Sequence, residues 1–251
     1  IKPIYQSKNQ LSLGIKPSKI SVDIANGEYI AYCEGDDYWV DEKKLQKQVE
    51  FLDQNNDHAA CVTNGFIVDH KTGYKRKHFR STPKSEFSTA DLLNGNPFLT
   101  CTIMYRKKIF SKVKNILNKI EASDYATHII ASKFGNIGYI DDIGAVYRLH
   151  EKGVWQSKEV ISAFNFSLRS AIRIRKHILY EIPFKWTMNK YIGRLRGKLS
   201  ARLFQEGLYF KSLCQSLICF LYPLPSMRYR LKISKQIIVV LLNLIFCSKS
   251  N

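Results

Sequence analysis

The run Tyr29-Ile30-Ala31-Tyr32-Cys33 is hydrophobic at every position and stops at once in Glu34-Gly35-Asp36-Asp37. Five residues are too few for a helical stripe. Apolar side chains on both parities mark a strand covered on two faces. Strands of that kind belong to layered α/β sheets, whose helices cover both sides. The next residues keep to that plan. A helix is predicted from about Asp41, a suitable N-cap, with Leu45, Val49 and Leu52 spaced along one face. Ala59 to Thr63 reads as a second buried strand. Phe66-Ile67-Val68 followed by Lys71-Thr72-Gly73 reads as a hairpin. Ser88 to Asp91 caps a short helix at Leu92 and Leu93. Ser123-Asp124 opens another helix, carrying Ile129 and Ile130, that Gly135 ends. Ile137–Ile140 and Ala145–Tyr147 are the last predicted strands.

The acidic cluster is the sharpest chemical feature. Three carboxylates within four residues repel one another unless a cation sits among them. A strand delivers them to its C-terminal edge, where α/β sheets place ligands. Were the segment extended, Glu34 and Asp36 would point the same way and could grip one hard divalent cation through oxygen, and the cation could hold a diphosphate. Taken alone, the same four residues also describe a solvated acidic turn, since Asp and Gly are ordinary turn residues.

Charge divides the chain unevenly. Residues 1–157 hold 22 Lys and Arg against 18 Asp and Glu; residues 158–251 hold 17 against 3. The net charge of +18 therefore belongs mostly to the last third. Residues 158–205 read as helical throughout, with Val160, Phe164, Leu168 and Ile172 on one stripe. Two apolar stretches follow, Leu217–Leu224 and Ile237–Cys247. The second has 11 residues, short of the ~20 that a spanning helix needs. Basic amphipathic helices of this kind lie in a membrane interface, attracted to anionic lipid; a helical subdomain packed on the core is the plainer alternative. None of the six cysteines forms a CxxC pair, so buried thiols fit better than a zinc cluster or a disulfide framework.

The order of residues from Ala25 to Trp39, Ala-Asn-Gly-Glu-Tyr-Ile-Ala-Tyr-Cys-Glu-Gly-Asp-Asp-Tyr-Trp, resembles the signature of family-2 glycosyltransferases, and Lys44–Leu52 resembles the helix that follows it there. The resemblance covers roughly residues 1–157 and not the tail. It implies an α/β fold of GT-A type, a Rossmann-like mixed sheet flanked by helices. Here that sheet would lack its first β-α-β unit and be followed by C-terminal basic amphipathic helices. The start at Ile1, within an extended stretch, fits a chain whose first part is missing. The expected organisation is a core over 1–157 and a helical, membrane-associating tail over 158–251.

The resemblance also implies roles. Glu34 and Asp36 take the positions that handle the metal (Mn2+ or Mg2+) and the donor diphosphate; Glu stands where the family has Asp. Asp37 backs the site or touches the donor sugar. Asp124 takes the place of the general base that deprotonates the acceptor hydroxyl, so that one displacement inverts the sugar. Complementing a helix dipole is its plainer role. Tyr147–Trp155 resembles the family's late element, which makes Arg148 and His150 candidates for the diphosphate or its metal. Thr100, Thr102 and Trp155 fall on the acceptor side. Asn9 and Gly14 fall at the donor loop, although the usual Arg-Asn pair is replaced by Ser18 and Lys19.

The expected activity is that of an inverting hexosyltransferase. It would join a sugar from a nucleotide-sugar donor to a lipid-linked or saccharide acceptor in cell-surface polysaccharide assembly. The expected location is cytoplasmic, on the inner face of a bacterial membrane. A non-catalytic remnant of the fold is the competing reading. Nucleic-acid binding matches only the net charge: the best motif is acidic and no nucleic-acid fold signature is present.

Overall fold

The computed structural model describes residues 4, 5, 7, 8, 10, 17–113, 116, 119–151, 153, 159–224 and 226–247. They pack as two compact units, each assembled from separate pieces of chain. The first takes Ile1–Ser88, Phe98–Lys119 and Ala126–Arg148; the second takes Thr89–Pro97, Ile120–Tyr125 and Leu149–Asn251.

The first unit is a seven-stranded sheet with helices. Its main path runs β1 (Tyr29–Ala31), β6 (Ile103–Arg106), β3 (His58–Asp69), β7 (Asn136–Leu149) and β2 (Tyr38–Trp39), while β4 (Lys75–Lys77) pairs with β3 and β5 (Glu86–Phe87) with β7. β6 runs antiparallel to both neighbours, setting Ile30 opposite Tyr105 and Cys61 opposite Met104. Helices α1 (Pro17–Ile24), α2 (Lys44–Gln54), α4 (Phe110–Val113) and most of α5 (Ser123–Ser132) accompany it. Leu52, Cys61 and Met104 form a buried cluster against which Tyr29, Val49 and Ile140 pack. Burying a side chain the size of Leu52 contributes about 2 kcal/mol. This is a GT-A-like α/β architecture.

Several elements differ in detail from their predicted form. β1 keeps only three of the five predicted residues, because Tyr32 and Cys33 leave the ladder toward the acidic turn. α2 begins at Lys44; Asp41 instead closes the turn ahead of it, accepting the Lys43 N–H at 2.9 Å. The buried face of α2 is Lys44, Gln48 and Leu52, and Leu45 is exposed. The hairpin forms as predicted, with Gly73 at φ +71° in its turn. The two last predicted strands are one strand, β7, whose ladder runs on through Asp141 to Gly144. α5 ends as predicted near Gly135, where a Cβ would stand 2.1 Å from the Asp57 carbonyl oxygen, so only glycine fits.

The second unit holds α3 (Thr89–Leu92), α6 (Val160–His177), α7 (Ile182–Gln205), α8 (Tyr209–Cys219) and α9 (Met227–Cys247). The predicted helix over 158–205 is two helices. The chain breaks at Ile178–Glu181 and restarts with Pro183 in the first turn of α7. The buried stripe of α6 is Leu168, Ala171 and Ile174, with Val160 exposed. α7 and α8 meet through fully buried serines. Ser200 Oγ donates to the Ser212 carbonyl at 2.8 Å, Ser212 Oγ donates to the Ser200 carbonyl at 2.9 Å, and Ser216 Oγ lies 2.6 Å from Ser200 Oγ. Gly197 lets α9 approach α7, since a Cβ there would lie 2.3 Å from Tyr229 Oη.

Candidate functional site

In the first unit the chain leaves β1 and closes a turn in which the Asp37 N–H donates to the Glu34 carbonyl at 3.0 Å. β2 then carries it alongside β7, Tyr38 opposite Val146. The acidic segment is thus a turn and not the extended stretch that strand alternation predicts. The turn, rather than residue parity, sets where Glu34 and Asp36 point. Glu34 is exposed; Asp36 and Asp37 are half-buried.

Arg148, at the end of β7, fastens this turn. Its backbone N–H donates to Asp37 Oδ1 at 3.0 Å, and its side-chain Nε donates to the Asp36 carbonyl. A residue more than a hundred positions away thereby joins the turn through main chain and side chain together. Burial pushes the Asp37 carboxyl above its usual range and the neighbouring Asp36 charge adds to this, while bonds from Arg148 and Cys101 oppose it.

A buried cation lies in the same part of the unit. Lys44 is wholly buried; its Nζ donates to Gln48 Oε1 at 2.7 Å and sits 4.7 Å from the centre of the Trp39 ring. Burial pushes its ammonium down to about 8. Gln48 passes the chain of bonds on, donating to the Cys61 carbonyl at 3.2 Å and the Thr102 carbonyl at 3.0 Å. Trp39 Nε1 donates to the Cys101 carbonyl at 3.0 Å. Lys44 was not among the residues singled out from sequence. The available signal was Trp39 five residues earlier, together with the helical spacing of Lys44, Gln48 and Leu52.

A hard divalent cation of the magnesium type takes one or two protein carboxylates and fills its shell with phosphate oxygens and water. Glu34 and Asp36 offer such oxygens, while Asp37 is engaged with the backbone of Arg148. Among the described residues, no three His, Cys, Asp or Glu side chains are gathered to hold a metal by themselves. The donor set fits a cation that arrives with a diphosphate. A cavity of about 520 Å³ in the same unit opens elsewhere, at the start of β1, lined by Asp23, Glu28, Tyr29, Arg106 and Lys108 among others.

Thr100 and Thr102 form a 3-10 turn ahead of β6. Thr102 is buried and donates its hydroxyl to the Leu99 carbonyl at 2.7 Å, so it holds the loop and does not face an acceptor. Asn9, Gly14 and Trp155 lie outside the described residues.

In the second unit, Asp124 stands in the first turn of α5 and accepts the Asn96 side-chain amide at 3.0 Å. Its neighbours are tied on several sides. Arg169 Nε and Arg173 Nη1 reach Glu121 at 3.1 and 2.9 Å. The Ala122 N–H donates to Ser170 Oγ at 3.1 Å, and Tyr125 Oη donates to the Leu92 carbonyl at 2.6 Å. Arg194 Nη2 donates to Asn94 Oδ1 at 2.6 Å. His150 also belongs to this unit; it follows β7 directly and its carbonyl accepts the Gly153 N–H at 2.9 Å.

A sheet of this order with an acidic turn leaving β1 defines the GT-A-like class. Residues 19–114, which contain that turn, match the family model of glycosyl transferase family 2, and the match supports a family-2 glycosyltransferase domain. Uncharacterized proteins of Mycobacterium tuberculosis and Mycobacterium bovis are each 31% identical over 158 residues, covering 62% of this chain and 44% of the relative. An uncharacterized glycosyltransferase of Methanocaldococcus jannaschii is 24% identical over 193 residues, 73% of this chain and 64% of that protein. The chain thus spans less than half the length of the mycobacterial relatives. Enzymes of this family take a nucleotide-sugar donor and an acceptor.

Proposed function

We propose that this chain carries the core of an inverting glycosyltransferase of the hexosyltransferase type. It moves a sugar from a nucleotide-sugar donor to a lipid-linked or saccharide acceptor in cell-surface polysaccharide assembly, held peripherally at the inner face of a bacterial membrane. The observation that carries this reading is the fastening of Arg148 to the Glu34–Asp37 turn. It puts a guanidinium from the end of β7 beside the acidic turn, and that turn lies within the residues that match the family.

In this reading Glu34 and Asp36 hold the divalent metal, Mn2+ or Mg2+, and His150, which is not gathered with them into a three-ligand set, is left out of its shell. When bound, the metal supplies positive charge against the diphosphate as it leaves. Arg148 adds a fixed fork of donors suited to phosphate oxygens. Asp37 keeps the turn in shape through the Arg148 backbone. Asp124 accepts the proton of the acceptor hydroxyl as that oxygen attacks the anomeric carbon from the face opposite the leaving group. Asn9 and Gly14 serve the donor loop, and Thr100 and Trp155 serve the acceptor side.

Titration calorimetry of the full chain with UDP-, GDP- and dTDP-hexoses tests the donor half. Binding is expected to need Mn2+ or Mg2+. Asp36→Ala is expected to weaken it by at least the roughly 10–100-fold that loss of an outer metal partner costs. Equal binding without metal, or unchanged binding in the variant, rejects the reading.

A further inference from the structure

Helix α9 is divided in two directions at once. Around its axis, one face is used by the bundle. Ile233 and Val240 are buried, Tyr229 Oη donates to the Arg194 carbonyl at 3.2 Å, and Gln236 Nε2 donates to Ser200 Oγ at 3.0 Å. The opposite face carries Leu231, Lys235, Ile238, Leu242 and Ile245 at alternating steps of four and three, all exposed. Along its axis the exposed residues change character. Up to Lys235 they include Arg228, Arg230 and Lys232; from Ile238 to Ile245 every exposed residue is apolar. No acidic residue occurs in the helix.

Water is a poor neighbour for that second half. Ile238 is 57% exposed and Ile245 51%, and the inward face of the helix is already spent on α7 and α8. A protein partner would need an apolar groove ending in an acidic collar to match both halves. A bilayer with anionic lipid presents those two chemistries in that order by its nature, acyl chains below and charged headgroups above. The dimensions agree. Residues 237–247 span roughly 16 Å at 1.5 Å per residue, about half of a ~30 Å hydrocarbon layer. Among the described residues no helix is long and apolar enough to cross a membrane.

We infer that the outer face of α9 is a docking surface for an anionic lipid bilayer, entered obliquely from one side. The end from Ile238 to Ile245 reaches the acyl boundary. Arg228, Arg230, Lys232 and Lys235 stay among the headgroups, their stems lying along the apolar layer. This specifies the membrane partner proposed above and names the element that meets it; it does not depend on the transfer chemistry.

The test is flotation of the full chain with vesicles of phosphatidylcholine alone and of phosphatidylcholine with one part in three phosphatidylglycerol. The chain is expected to float with the anionic vesicles only, and less so as salt rises. Replacing Arg230, Lys232 and Lys235 by Gln is expected to weaken binding about five-fold per cation, the share of a well-placed Lys or Arg near anionic lipid. Ile238→Glu with Leu242→Glu is expected to abolish flotation. Both side chains point out of the bundle, and helical circular dichroism checks that the fold survives. As a second measurement, Leu242→Trp is expected to be quenched by acyl-chain-brominated lipid and Arg228→Trp is not, each read against the wild-type signal. Three results overturn the inference: no flotation of the wild-type chain, equal flotation of the double Glu variant, or a wild-type dimer that the double Glu variant dissolves while lipid changes nothing. Since the assay contains no sugar nucleotide, its failure leaves the donor titration standing, and the reverse is also true.

Discussion

The two units fix their candidate chemical groups by different means. In the first, every bond that holds the acidic turn uses at least one main-chain group: Asp37 N–H to the Glu34 carbonyl, Arg148 N–H to the Asp37 carboxylate, the Arg148 side chain to the Asp36 carbonyl, and a strand on either side. In the second, Asp124 and its neighbours are held mainly by side chains reaching from the loop after α3 and from α6 and α7: Asn96, Arg169, Arg173, Ser170 and Arg194. Backbone bonds within a sheet survive most substitutions, because every residue type supplies the same N–H and C=O. Side-chain bonds at a half-exposed surface each contribute about 1 kcal/mol or less and can be retuned one residue at a time. The first unit is therefore built for constancy and the second for adjustment.

The comparison breaks most visibly at Asp124. If it is the base, Asp124→Asn keeps donor binding and lowers transfer, or slow release of nucleoside diphosphate to water, by roughly 10²–10⁴-fold. A loss of donor binding instead would mean that Asp124 belongs with the turn and that the division of labour is wrong.

Lys44 sharpens the other side. Its ammonium titrates at about 8 in the folded chain against an ordinary 10.5. Between those values the unfolded chain holds the extra proton, so stability contributed by this group rises with pH across that window and is level below it. The shift corresponds to on the order of 3 kcal/mol. Chemical denaturation of wild type and Lys44→Met at pH 7.5 and at pH 10 is expected to show the difference between them move in favour of wild type at the higher pH. A difference that does not change with pH would show that Lys44 keeps its ordinary proton affinity in the folded chain and is not buried.

The smallest effect belongs to Arg194. Arg194→Ala removes the bond to Asn94 and should cost less than about 1 kcal/mol of stability, because the pair is exposed. Donor binding should not change. A cost of several kcal/mol by thermal unfolding would show the second unit to be as rigidly built as the first.

Much of the first unit was legible in sequence because its signals are local. A doubly apolar run ending in carboxylates, a Lys-Thr-Gly hairpin and a helix opened by Ser123-Asp124 each declare themselves within a few residues. What was not legible depended on distant partners. Lys44 looks like one more lysine on a polar helix until Trp39 and Gln48 close over it. Asp141 to Gly144 reads as a turn by composition, yet β7 runs straight through it, with the Gly144 carbonyl accepting the Val40 N–H at 3.1 Å. The break at Ile178–Glu181 had a signal in Pro183, but the helical stripes on both sides of it share one period and hide it. Arg148 was picked out only by resemblance; nothing in Tyr147-Arg148-Leu149 foretells a bond to residue 37. Asn96 was picked out only as the start of a stretch, Asn96–Thr102, that resembles the family's acceptor-side loop; nothing in it foretells the bond to Asp124.

The buried hydroxyls between α7 and α8 bear on how the tail can behave as a machine part. Apolar helix faces can creep past one another with little change in contact, whereas Ser200, Ser212 and Ser216 engage like the teeth of a ratchet. Sliding α8 by a single turn would strand these groups in a dry interior. The pair is thus locked lengthwise, and because Gln236 engages the same teeth, α9 is indexed to them as well.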